Sequence, residues 1–105
     1  MRAGRLRHRV TIQEKSVAQN TTGEEVITWA DVATVWAAVE PLRGSEFAEL
    51  ERAGAQVTTR IVMRYRSGIL PEMRVVFGTH VYDVRSVVHV EERGRELQLM
   101  CRELL

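Results

Sequence analysis

The chain has 105 residues and a mass of 12.0 kDa, 45% hydrophobic and 28% charged, which fits one domain with one modest core and excludes wholesale disorder. Fifteen basic and 14 acidic side chains give a formal net charge of +1, far from the basic balance of a dedicated DNA-binding domain. The single cysteine, Cys101, excludes an intrachain disulfide, and the charged start MRAGRLRHRV is no signal peptide.

From Arg5 to Glu14 the hydropathy has period two. Leu6, His8, Val10 and Ile12 share one face, and Arg7, Arg9, Thr11 and Gln13 the other. This predicts a half-buried strand with a wet, basic outer face. Arg2 and Arg5 extend that basic start, and no acid precedes Glu14. Gln19-Asn20-Thr21-Thr22-Gly23 is a turn-forming cluster. The chain returns through the β-prone Val26, Ile27, Thr28 and Trp29, and Asp31 is expected to interrupt it.

A second run, Val32 to Val39, sets Val35, Ala37 and Val39 against Val32, Trp36 and Ala38. A strand apolar on both faces is central in a sandwich or barrel, or has one face against another chain. Trp36 is assigned to the core, while Trp29 can be core or interface anchor. Pro41 ends the run. Between Gly44 and Gly54 the period is lost. Ser45 as N-cap, Glu46 and Glu49 toward the positive dipole end, Phe47 and Leu50 on one face and Gly54 past the end predict a helix over 46–53. A mobile loop with nascent helicity fits equally, since so short a helix is marginal alone.

Gln56 to Arg66 is the clearest strand, with Val57, Thr59, Ile61, Met63 and Tyr65 on one face and Thr58, Arg60, Val62, Arg64 and Arg66 on the other. After a turn at Ser67-Gly68 and Pro71, Met73, Val75 and Phe77 begin another strand. Gly78-Thr79 connects it to a strand from His80 to Val90. Glu92-Arg93-Gly94-Arg95 turns the chain into a last strand lined by Leu97, Leu99 and Cys101. The sum is a single mainly β domain over 1–105. It is a small antiparallel barrel or sandwich of six to seven strands, with one short helix or flexible loop inserted around residues 43–55.

Chemistry-bearing patterns are sparse. His8, His80 and His89 have no metal-ligand spacing, and one cysteine supplies no thiolate cluster. Cys101 reads as a small buried hydrophobe on a strand, and Glu46, Glu49 and Glu51 as a solvated helix face. Neither a phosphate loop nor a dinucleotide fingerprint occurs. No enzyme activity, cofactor or metal is expected. The basic residues are all arginine except Lys15. If the faces bearing Arg7 and Arg9 and those bearing Arg60, Arg64 and Arg66 adjoin, they form a stripe able to touch phosphates. An ordinary wet face paired with acids is the simpler reading, and few exposed aromatics are expected beside it.

Taken in order, GRLRHRVTIQ, a Gly-bearing turn, WADVATVWAAVEPLRGSE, TTRIVMRYRSGILPEMRV, the GxxxYDV pattern at Gly78 to Val84 and LQLMCRE resemble the phage head–tail joining family, also called head–tail adaptor, stopper or head-completion proteins. The resemblance covers nearly the whole chain. It implies a non-enzymatic β-barrel, made in the bacterial host cytoplasm, that assembles as a ring in the virion between the DNA-filled head and the tail. Its partners would be a portal or adaptor ring protein, a tail terminator or tail-tube protein and sister copies, with contact to packaged DNA and none to membrane. The connection from Leu42 to Gln56 would face the channel or a neighbouring subunit. Interface residues are then expected at Arg7, Arg9, Trp29, Arg43, Glu46, Phe47, Glu49, Leu50, Arg60, Arg64 and Arg66. The alternative is an OB-like barrel that binds nucleic acid.

Overall fold

The computed structural model describes residues 5–90 and 95–104. The described residues form six strands, β1 (His8–Gln19), β2 (Glu25–Pro41), β3 (Thr59–Arg64), β4 (Arg74–Phe77), β5 (His80–His89) and β6 (Glu96–Leu104), with one helix, α1 (Gly44–Arg52), between β2 and β3. Every pairing is antiparallel, and the order β1-β2-β3-β6-β5-β4 returns to β1 through Thr11–Gln13 against Arg74–Val76. The sheet therefore closes into a barrel, which removes open edges where it closes.

Closure follows from the period-two pattern. Val10, Ile12, Ala37, Ile61, Met63, Val75, Tyr82, Val84, Leu97, Leu99 and Cys101 point inward and are buried, joined by Ile69 and Met73 from the β3–β4 connection. Each large apolar side chain so buried contributes about 1.5–3 kcal/mol. The β3–β4 connection turns tightly at Pro71 and Glu72, where Glu72 takes the left-handed φ of 77° that costs about 1–2 kcal/mol in a non-glycine residue.

Several expectations need correction. β1 runs five residues past Glu14, to Gln19. Asp31 does not interrupt the return strand, since β2 is continuous over 17 residues. The register instead shifts between Ile12 and Gln13, whose partners are Ala33 and Asp31, leaving Val32 as the extra residue of a β-bulge. The bulge reverses the facing of alternate residues. Ala33, Val35 and Ala37 oppose inward β1 residues, whereas Asp31, Trp29 and Ile27 oppose the outward Gln13, Lys15 and Val17.

Trp36, expected in the core, lies on the outer face at 52% exposure, because inward Val35 and Ala37 flank it. Leu6 precedes β1 and escapes its alternation, packing outside the barrel with Ala38 and Val62. His8 keeps the inward phase but stands exposed at the first residue of β1, its ring 4.7 Å from that of Phe77. β3 is shorter than the expected 56–66 strand at both ends, since Gln56–Thr58 and Tyr65–Arg66 lie outside it. α1 begins at Gly44, so Ser45 lies within its first turn. Arg43 is the N-cap, without a side-chain cap bond, and Glu49 sits too far along to meet the positive dipole end. Gly54, with φ 83°, follows the helix as expected. Most of the turn expected at Glu92–Arg95 lies outside the described residues.

Beyond the barrel, residues 14–30 of β1 and β2 pair only with each other across an Asn20–Glu24 turn. Asn20 Oδ1 accepts from the amides of Thr22 and Glu24 and from the Thr22 hydroxyl. This two-stranded arm accounts for the elongation, 48 × 31 × 28 Å, because six residues of strand span about 20 Å.

Candidate functional site

Enzyme-type candidates do not converge. Cys101 is fully buried, and burial pushes its thiol up to about 12, assisted by the nearby Asp83 carboxylate. Its Sγ donates to the Leu99 carbonyl at 3.4 Å. A thiol held so firmly protonated is a poor nucleophile. His8, His80 and His89 are all exposed, with His80 Nδ1 2.9 Å from Glu103 Oε2 and His89 against Tyr65. No cluster of three or more His, Cys, Asp or Glu able to hold a metal exists among the described residues. None of their helices is long and apolar enough to cross a membrane.

Chemistry on the outer surface is concentrated at three places. The first is a groove. Pairing of β2 with β3 ends at Ala37–Met63. Beyond that point the strands splay, leaving a hollow of about 640 Å³ lined by Leu6, Val35, Trp36, Met63, Arg64, Tyr65 and Arg66. Its floor is apolar, its rim carries only positive charge, and Trp36 and Tyr65 stand in it at 52% and 44% exposure. The Arg9 guanidinium lies 5.1 Å from the Trp36 ring centre, within cation–π range. The expected scarcity of exposed aromatics beside the arginines is thus corrected.

The two arginine rows do not adjoin, because β2 runs between β1 and β3. Arg9 meets the second row only through Trp36, which also shares the groove with Arg64 and Arg66. Arg60 is engaged elsewhere. It pairs with Glu46 of α1 and lies 3.7 Å from Glu40, which in turn takes two hydrogen bonds from Arg5 at 3.0 and 3.2 Å. Arg5 also reaches buried Glu96 at 3.5 Å. Arg60 therefore ties α1 to the barrel wall and is not aimed at solvent phosphate. Arg7 is exposed just before β1.

The second place is α1 and its flanks. The helix buries no side chain. It is held by the Glu46–Arg60 pair and by its ends, where the Leu42 amide donates to the Thr58 carbonyl and Leu42 and Val57 are buried. Phe47, 36% exposed, overhangs a smaller cleft of about 390 Å³ that includes Glu51, Val57 and Arg102. Arg43 and Glu49 are exposed and Leu50 half-buried.

The third place is the arm. Val17, Val26 and Ile27 are exposed at 51%, 40% and 53%, and Val17 and Ile27 are cross-strand partners. Residues 14–31 hold four carboxylates, Glu14, Glu24, Glu25 and Asp31, against the single cation Lys15. The root of the arm is fixed: Gln13 donates to Asp31 at 2.8 Å, Arg74 donates to Gln13 at 2.6 Å, and the Arg74 guanidinium lies 4.2 Å from the Trp29 ring centre. Trp29, open at the sequence level between core and interface, is half-buried against that arginine.

The sequence reading brought forward Trp29, Arg64 and Arg66 but missed Tyr65, Val17 and Ile27 as surface features and Leu6 as part of the groove floor. An extra residue in the alternation at Asp31-Val32 carries the signal for Ile27, since it turns that apolar residue to the outside.

Three comparisons bear on this geometry. A family model described as phage head completion protein matches residues 1–104. The chain is 28% identical over 107 residues to head completion protein gp7 of Enterobacteria phage HK97, covering 97% of this chain and 96% of that protein. Among solved structures it is similar to protein SF1141 from Shigella flexneri 2a, with a TM-score of 0.74, 33% identity and coverage of 98% and 96% of the two chains. It is also similar to a chain in the virion of a native gene transfer agent particle, with a TM-score of 0.68, 25% identity and coverage of 95% and 96%.

Proposed function

Because the chain belongs to the phage head completion protein family, we propose that it is a structural component of a tailed-phage or prophage virion, assembling as a ring at the portal vertex and joining the DNA-filled head to the tail. The observation that carries the reading is the family match over residues 1–104, supported by a similar chain inside a virion particle. The partners are a portal or adaptor ring protein on the head side, a tail terminator or tail-tube protein on the other, and sister copies within the ring.

The surfaces suit assembly work. A closed barrel with a filled core is a rigid block of fixed shape. From it project a helix that buries nothing and an arm that pairs only with itself. Projecting surface segments held on a rigid scaffold are where binding contacts concentrate. The Leu42–Gln56 excursion is assigned to the channel side or to a neighbouring subunit, with Arg43, Phe47, Glu49 and Leu50 as its contacts.

Particles made without this chain test the reading. They are expected to be full heads beside separate tails, rescued by the intact chain supplied in trans. A chain lacking residues 44–54 is expected to fold, with unchanged far-ultraviolet circular dichroism of the strands, yet not to rescue. Normal joined particles in the absence of the chain would sink the joining role. Rescue by the shortened chain would sink the role of the excursion.

A further inference from the structure

We propose that the acidic, apolar-faced arm of one copy seats in the basic Trp36 groove of the next copy; the inference rests on the assembly role above and names the contact that would propagate the ring. Three observations carry it.

The first is an unsatisfied surface. Val17 and Ile27 are paired and about half exposed on an arm whose strands pair only with each other, and an isolated two-stranded ribbon is marginal in water. The second is complementarity. On the arm, Glu25 and Lys15 share the face of that apolar pair, Glu24 stands at the turn, and the whole arm has one lysine against four carboxylates. The groove offers exposed Trp36 and Tyr65 over an apolar floor, rimmed by Arg64 and Arg66 with no acid among its lining residues. Opposite potentials on matching patches steer encounter and fix register, and Trp, Tyr and Arg are the residue types that anchor interfaces.

The third is reach. Ile27 and Trp36 lie on one strand, nine residues apart, which is about 30 Å of extended backbone. An arm rooted by the Gln13, Asp31 and Arg74 contacts cannot fold back onto its own groove. An arm that fills this groove therefore belongs to another copy, and the contact is heterologous: arm of one to groove of the next. Repeated contacts of that kind close into a ring when the rotation permits.

Disulfide trapping in assembled particles decides the matter. The double variant Ile27→Cys with Tyr65→Cys is placed on exposed positions, and Cys101 is buried and does not compete. Mild oxidation is expected to give a ladder of disulfide-linked copies, absent from either single variant. In parallel, Glu25→Arg and Arg64→Glu should each reduce joined particles about tenfold, the effect of losing one good contact, and the two together should restore them. Incorporation of the protein without a ladder, or a linkage to a different virion protein, overturns the arm-to-groove contact and leaves the joining role standing. Salt-dependent oligonucleotide binding that is lost with Trp36→Ala overturns it too, assigning the groove to nucleic acid. Absence of the protein from particles overturns both.

Discussion

The two halves of the β1–β2 hairpin are built from the same pair of strands, yet only one half belongs to the barrel. In one half, Thr11–Gln13 pair with β4 and Ala37–Pro41 with β3, and Val10, Ile12 and Ala37 are at most 1% exposed. Between Glu14 and Ala30 it has neither flanking strand nor core, and Val17, Val26 and Ile27 face solvent. The register shift opposite Ile12 and Gln13 marks the border. A strand's local pairing therefore does not decide what its apolar residues are for. Those in the wall hold the fold, and those beyond it are free for a partner.

The difference is sharpest in stability. Leu99 is fully buried and opposes Ile61 and Val87 across two strand pairs. Leu99→Ala is expected to lower the unfolding free energy by about 2–5 kcal/mol, through lost transfer energy and the cavity left behind. Urea denaturation measures this, and a loss below about 1 kcal/mol would mean that the barrel interior is loosely packed. In the arm, Val17→Ser with Ile27→Ser is expected to change stability by under about 0.5 kcal/mol per site, as surface substitutions do, while joined particles fall sharply. A large destabilisation from the arm pair would erase the distinction between the two halves.

Much of the wall was legible in the sequence, because a period of two with apolar residues inside is dictated by the pleat itself. Val57 to Met63, Met73 to Phe77 and Leu97 to Cys101 follow it closely. What was not legible has physical causes. A bulge inserts one residue and reverses the pattern, so the stretch from Val26 to Val39 read as two strands broken at Asp31, while Trp36 read as core because Val32 to Val39 is apolar on both faces. Leu6 and Tyr65 flank strands without belonging to them, and outside a strand alternation carries no information about facing. The groove depends on where two strands splay after Ala37–Met63, a property of barrel curvature that no local pattern encodes. Arg64 and Arg66 were visible as basic positions, but the engagement of Arg60 by Glu40 and Glu46 comes from the β2–β3 register and from the path of α1.

The same contrast separates the two projections. α1 is anchored near both ends by buried Leu42 and Val57 and by an ion pair to the wall, whereas the arm is hydrogen-bonded to the barrel at its root and its Lys15 and Ile27 share an open cleft with Glu72, Asp83 and Arg85. The helix thus keeps a set position relative to the barrel.

A cryo-electron microscopy reconstruction of the portal vertex, from particles carrying this chain, tests the central claim most directly. A closed ring of barrels between portal and tail is expected, each with residues 14–30 lying against Trp36 and Tyr65 of the adjacent copy. Density for the chain elsewhere in the particle, or a ring whose arms point away from their neighbours, would contradict it.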